Sequence, residues 1–144
     1  MRVSDILRSK GTVVCTISPD ATIADAVRAL AQYGIGAIVV STDGITVEGI
    51  LSERDIVRAM DAEADGLQGR LVRDIMTSNV VTCGPSEQVD YMMSLMTQKR
   101  FRHVPVVDGD QLAGIVSIGD VVASRLSELE REAEALEDYI RHGR

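Results

Sequence analysis

Aromatic side chains are nearly absent from this chain: 3% of residues, with one Phe, three Tyr and no Trp. A core of stacked rings is excluded, so Val, Ile, Leu, Ala and Met must fill it. There are only two Cys, Cys15 and Cys83, too few for a disulfide-dense scaffold. Neither has His or Cys neighbours at metal-ligand spacing, so no zinc site is expected within one chain, and both read as reduced core thiols. No stretch approaches the ~18–20 apolar residues of a membrane span, and the opening Met1-Arg2-Val3-Ser4-Asp5 has no apolar signal core. A cytoplasmic protein with no membrane partner is the expectation. Basic residues are the minority, 15 Lys and Arg against 22 Asp and Glu for a net charge of −7, which argues against nucleic acid as a partner. The P-loop, the nucleophile elbow, His-rich metal motifs and the Rossmann glycine fingerprint are all missing, since Gly34-x-Gly36 lacks the remainder of the last. Catalysis is therefore not expected.

What is present is a duplication. Gly49-Ile50-Leu51-Ser52-Glu53-Arg54-Asp55-Ile56-Val57 returns as Gly114-Ile115-Val116-Ser117-Ile118-Gly119-Asp120-Val121-Val122, an offset of 65. Pro19 and Pro85, Ile35 and Phe101, and Val40 and Val106 correspond at 66, and Asp5-Ile6 and Asp74-Ile75 at 69. The period is too long for a solenoid and reads as one unit copied once, with a pseudo-twofold interface between the copies. With 144 residues the chain suffices for one compact body.

Each copy reads strand, helix, strand, strand, helix. In the first, strands are expected over 12–17, 37–40 and 47–51. A helix starts near Thr22, passes Ile23, Ala26, Val27 and Leu30 at helical spacing, and ends at Gly34; a second covers 55–60. In the second, strands are expected over 80–83, 104–107 and 112–116, and Val89, Met92, Met93 and Met96 mark a helix whose methionines are core filler. The expected division is 1–60 for the first copy, 61–70 for a polar linker, 71–123 for the second copy and 124–144 for a terminal amphipathic helix. There Val122, Leu126, Leu129, Ala133, Leu136 and Ile140 are spaced as an a/d seam amid charged residues. Such a helix either packs back on its own domain or meets another subunit; the second is preferred, and a homodimer with 122–140 at an interface is expected.

Ser52 with Asp55, and Ser117 with Asp120, each stand three residues apart at the start of a helix. Both pairs suit a helix cap. They also suit a ribose, since a carboxylate accepts hydrogen bonds from two vicinal hydroxyls. Two intact copies facing one interface favour the ribose.

Together and in order, Val3-Ser4-Asp5-Ile6-Leu7 and Val72-Arg73-Asp74-Ile75-Met76-Thr77, the Pro-led helices, Arg102-His103-Val104-Pro105-Val106-Val107-Asp108 and the two Gly-x-x-Ser-x-x-Asp segments resemble a tandem pair of CBS (cystathionine β-synthase-type) domains, the Bateman module, over residues 3–122. The resemblance implies a mixed α/β (α+β) fold of two pseudo-twofold β-α-β-β-α repeats packed sheet to sheet, with the terminal helix as in stand-alone bacterial members. It implies a regulatory sensor of adenine ligands (AMP, ADP, ATP, NAD(H) or S-adenosylmethionine), with no required cofactor, that signals to an effector protein or through assembly. Each site would join one repeat's Ser-x-x-Asp to the other repeat's strand. The first would use Ser117 and Asp120 on the ribose, Ile35, Gly36 and Ala37 along the adenine, and Arg102 and His103 at the phosphate. The second would use Ser52 and Asp55, with Phe101, Arg102 and His103 at the adenine, and Thr77 and Val81 on the pocket floor. Its phosphate side would meet uncharged Gly36 and Ala37; Arg54, which stands where the other copy has Gly119, compensates. The sites are therefore unequal, and the Asp120 site is expected to prefer a charged nucleotide. The alternative function is a non-catalytic oligomerisation or adaptor protein with vestigial sites.

Overall fold

The computed structural model describes residues 1–11 and 14–143. In the first half, helix α2 (Ile23–Tyr33) buries Ile23, Ala26 and Leu30, the apolar stripe of its 3.6-residue period. Its start is a reciprocal cap: the Asp25 amide donates to the Thr22 hydroxyl at 3.2 Å and the Thr22 amide donates to the Asp25 carboxylate at 3.3 Å. Its end is Gly34, left-handed at φ 61°, where a side chain would be strained. Strand β2 (Ala37–Val40) is buried at every residue and lies between antiparallel β3 (Gly49–Ser52) and parallel β1 (Thr16–Ile17). Helix α3 (Glu53–Ala62) leaves β3 directly at Ser52. Of the strand expected over 12–17, residues 16–17 form β1, and 12 and 13 lie outside the described residues.

The second half repeats this with α5 (Val89–Lys99), antiparallel β4 (His103–Asp108) and β5 (Gln111–Ser117), and α6 (Ile118–Arg141) leaving β5 at Ser117. The strand expected over 80–83 does not form. Only Cys83 bridges to β4, its amide donating to the Pro105 carbonyl at 3.1 Å. Beside it β4 carries a register shift between Val106 and Val107, and such a bulge disrupts the local ladder. Cys15 and Cys83 are both free thiols, and burial pushes Cys83 up to about 11.

Two short helices escaped the sequence reading, α1 (Val3–Lys10) and α4 (Val72–Ile75). Asp5 and Asp74 explain their shared motif: each carboxylate accepts the backbone amide three residues back, Arg2 at 2.8 Å and Leu71 at 3.3 Å. These helices are exchanged between the halves. The Val72 and Arg73 amides donate to the carbonyls of Ala21 and Pro19, while those of Val3 and Ser4 donate to Glu87 and Pro85. Accordingly, Val3, Ile6 and Leu7 lie in one core with Cys83, Val89, Met92, Met96, Val104, Val106, Val116 and Val121. Val72 and Leu67 lie in the other with Ile23, Ala26, Leu30, Ile38, Val40 and Leu51. Each fully buried aliphatic side chain contributes about 1.5–3 kcal/mol of transfer free energy, so the exchange ties the halves together.

The same exchange fixes two glycines. A Cβ on Gly49 would lie 2.6 Å from Met76 Sδ, and one on Gly114 would lie 2.5 Å from Leu7 Cδ2. Gly49 and Gly114 are thus the contact points of α4 and α1 on β3 and β5.

Helix α6 has 24 residues, about 36 Å of helix. Its first turns dock through Val121, and Glu128 accepts from the N-terminal ammonium at 3.2 Å. Residues 129–143 are exposed throughout, so the distal seam residues Leu129, Leu136 and Ile140 do not pack back on this chain. Among the described residues no helix is long and apolar enough to cross a membrane.

Candidate functional site

The end of each last strand sets the site. Ser117 closes β5 and caps α6: its hydroxyl accepts the Asp120 amide at 3.1 Å, and its own amide donates to Asp120 Oδ2 at 2.9 Å. Ser52 closes β3 and caps α3 in the same way, with 3.3 Å and 2.9 Å, and its hydroxyl also donates to Asp55 Oδ2 at 3.1 Å. Both Ser-x-x-Asp segments are therefore caps in fact. A cap uses only part of a carboxylate's accepting capacity, so the roles of cap and ligand site are compatible.

The partner strands are matched as closely. His103 pairs with Ser117 and Ala37 with Ser52. The Ile118 amide donates to the Arg102 carbonyl at 2.8 Å, and the Glu53 amide to the Gly36 carbonyl at 2.9 Å. Ile35, Gly36 and Ala37 thus occupy one half's positions for Phe101, Arg102 and His103 in the other. One half presents a neutral edge and the other a cationic one.

The structure brings Gly36, His103, Ser117 and Asp120 to one place. A Cβ on Gly36 would lie 3.2 Å from the His103 ring, so the two halves touch here. Burial first, then the charge of Lys10, pushes the His103 imidazole below its ordinary value, against the opposing pull of Glu53 and Asp120. Burial alone would raise Asp120, but Lys10 and the Ser117 capping bonds more than offset it, and the carboxyl is held below its ordinary range. Lys10 Nζ donates to Asp120 Oδ2 at 2.6 Å and to the Ile115 carbonyl at 3.0 Å. The sequence reading missed Lys10; no motif marks it, because its neighbourhood is made by the helix exchange. Lys10 and Asp120 both line a groove of about 840 Å³ that runs between α1 and α6 past Ser124 and Glu128.

The residues expected around Asp55 fall into two groups. Thr77 Oγ1 donates to Asp55 Oδ1 at 3.5 Å, and Thr77 pairs with Ile50 on β3, which puts Thr77 beside the Ser52 and Asp55 cap. Arg54, Phe101 and Arg102 line a cavity of about 460 Å³ with Met96, Thr97, Arg100 and Ile118. Three arginines among its lining residues make that cavity attractive to anions. Val81 is exposed on the stretch before Cys83, and Ile35 lies half-buried against the core of the first half.

Comparison with known proteins decides the family. A sequence profile described as the CBS domain matches residues 3–62 and again 72–127. The chain belongs to the CBS-domain family. Its tandem CBS pair is similar in structure to the CBS-domain protein ATU1752 of Agrobacterium tumefaciens, with a TM-score of 0.83 and 44% identity over 87% of this chain and 99% of that one. It is similar to the CBS domain pair of MJ0100, solved with 5′-methylthioadenosine and S-adenosyl-L-methionine, with a TM-score of 0.75 and 29% identity over 90% of this chain and 98% of that one. It is also similar to the CBS domain protein PAE2072 of Pyrobaculum aerophilum, solved with AMP, with a TM-score of 0.73 and 29% identity over 83% of this chain and 89% of that one. The fold expected for a CBS pair, mixed α/β with a terminal helix, is the fold observed.

Proposed function

We propose that this CBS pair is a non-catalytic regulatory module that binds an adenine nucleotide (AMP, ADP, ATP or NAD(H), with S-adenosylmethionine in the same class) between its repeats. The observation that carries the reading is the meeting of Gly36, His103, Ser117 and Asp120, contributed by both halves, at a carboxylate poised on a helix start. Asp120 takes the ribose diol, Ile35, Gly36 and Ala37 line the adenine, and Arg102 and His103 face the phosphate. The Asp55 site uses Ser52, Asp55 and Thr77 on the sugar side, with Val81, Arg54, Phe101, Arg102 and His103 as its further contacts. The AMP and S-adenosylmethionine complexes of the two related CBS pairs support this ligand class.

Binding signals by favouring one arrangement of repeats or subunits over another. The exposed seam on α6, with Leu126 at 55% and Ile140 at 68% accessible, fits a homodimer. The same seam supports the second reading, an adaptor with vestigial sites that assembles through α6. Light scattering separates monomer from dimer: a mass near 15.6 kDa at micromolar concentration refutes the dimer.

Isothermal titration calorimetry of nucleotide-stripped protein with AMP, ATP, NADH and S-adenosylmethionine tests the reading. Micromolar binding of one ligand, lost in Asp120→Ala while the fold is kept, is the expected result. No binding of any ligand leaves the adaptor reading.

A further inference from the structure

The two candidate sites differ at one position that the repeat itself identifies. Leu7 meets Gly114 and Met76 meets Gly49, so α1 and α4 superpose at an offset of 69 residues while the strands beneath them superpose at 65. On that numbering Lys10 falls at Asn79, but α4 ends at Ile75 and Thr77 takes the contacts with Ile50 and Asp55 there. The chemistry around the two strands differs accordingly. In one half, the backbone of Thr77 exchanges both hydrogen bonds with Ile50, at 3.0 and 2.9 Å. In the other, α1 stays helical to Lys10, and the carbonyl of Ile115, the counterpart of Ile50, is met by the Lys10 ammonium at 3.0 Å. The same ammonium lies 2.6 Å from Asp120 Oδ2, whereas Asp55 meets the neutral Thr77 hydroxyl.

Lys10 therefore holds the carboxylate that a ribose diol would use. It is not locked there. Its side chain is 38% accessible, it ends α1, and the next residue is Gly11 at φ 103°. It also lines the 840 Å³ groove beside Asp120, so an ammonium leaving the carboxylate remains within the site.

We propose that Lys10 is the residue that makes the Asp120 site select an anionic nucleotide over the neutral nucleoside: the ribose takes Asp120 from the ammonium, and the ligand's phosphate replaces Asp120 as its partner. The inference rests on the nucleotide reading above. A neutral adenosine displaces Lys10 and returns nothing to it, whereas AMP supplies a charge-assisted bond, a kind of contact about twice as strong as a neutral one. The Asp55 site, where Asp55 meets the neutral Thr77 hydroxyl, has no such requirement.

The test is calorimetry with AMP and with adenosine in an Asp55→Ala background, where only the Asp120 site reports. The chain with Lys10 should prefer AMP. Lys10→Met should cut the ratio of AMP to adenosine affinity by about tenfold, the loss of one hydrogen bond to a charged group. The loss should fall on AMP, with adenosine unchanged or tighter. Lys10→Gln, which keeps a polar tip without charge, should behave alike, and Lys10→Arg should keep the preference. Equal weakening of both ligands, or an unchanged ratio, overturns the role of Lys10. If the Asp55→Ala chain binds neither ligand while Lys10 is present, the nucleotide reading of the Asp120 site fails first and the inference falls with it.

Discussion

Replacing Gly114 by Ala should destabilise the protein, and combining it with Leu7→Ala should cost less than the two separate losses added together. The new Cβ would stand 2.5 Å from Leu7 Cδ2, 3.1 Å from Cδ1 and 3.4 Å from Cγ. Carbon atoms in packed interiors sit about 3.5–4.0 Å apart, so Leu7 must move by about an ångström. It has little room, at 6% exposure within a core shared with Val89, Val104 and Val116. Overpacking of this kind costs about 1–3 kcal/mol. Gly114 has an ordinary φ, so Ala also narrows the unfolded ensemble and returns about 0.4–1 kcal/mol. The net expectation is a loss of about 1–2 kcal/mol. Leu7→Ala alone should cost about 2–5 kcal/mol as a cavity. In the double variant the clash disappears and the methyl introduced at position 114 fills part of that cavity, so its loss should fall short of the summed singles by at least about 1 kcal/mol. Urea unfolding followed by circular dichroism, with unchanged m-values, measures all three. Strict additivity would refute the packing of α1 on β5, and with it the helix exchange that joins the two repeats.

The remaining predictions follow from local features. Arg100 ends α5 in the left-handed region at φ 60°, where the first repeat has Gly34, so Arg100→Gly should stabilise by up to about 1 kcal/mol in the same unfolding assay; a loss of stability contradicts the strained cap. His103 is pushed below its ordinary value of 6.5 by burial and by Lys10, so its NMR titration midpoint should lie below 6.5. Because the folded imidazole binds its proton more weakly than the unfolded one, its contribution is present above pH 6.5 and is lost as the pH falls through the folded value. In His103→Gln this part of the pH dependence should vanish, and a midpoint above 6.5 contradicts the burial of the ring as the dominant influence on it.

How far these features can be read from the chain varies with the interaction that makes them. The long helices and the paired strands announce themselves through local rules: Thr22 and Asp25 cap α2, Gly34 ends it, and Ala37–Val40 is a short apolar run that forms β2. The Ser-x-x-Asp caps are legible for the same reason, since cap and carboxylate are three residues apart. Helix α4 spans only 72–75, too short to show a period, and its first amides are satisfied by carbonyls some fifty residues away, so pattern alone does not mark it. Lys10 is hidden more deeply, since its bond to Asp120 spans 110 residues and depends on α1 crossing to the second repeat. The stretch at 80–83 keeps only the isolated bridge of Cys83 to Val106, so β-branched composition alone did not make a strand there. On α6 the heptad spacing was plain in the sequence, and the exposure of Leu129, Leu136 and Ile140 shows that the fold of one chain leaves that seam uncovered.

The central claim is that one ligand site is assembled from both repeats, and calorimetric titration of AMP tests it most directly. The Asp55→Ala chain, in which only the Asp120 site reports, would be compared with the same chain carrying Asp120→Ala or Gly36→Val under identical conditions. Gly36 lies in the first repeat, 84 residues before Asp120, and a side chain there meets the His103 ring at 3.2 Å. The account predicts micromolar binding to the Asp55→Ala chain and its loss in both derivatives, each still folded by circular dichroism. Binding that survives Gly36→Val but not Asp120→Ala, or that survives both, contradicts a site built across the repeats.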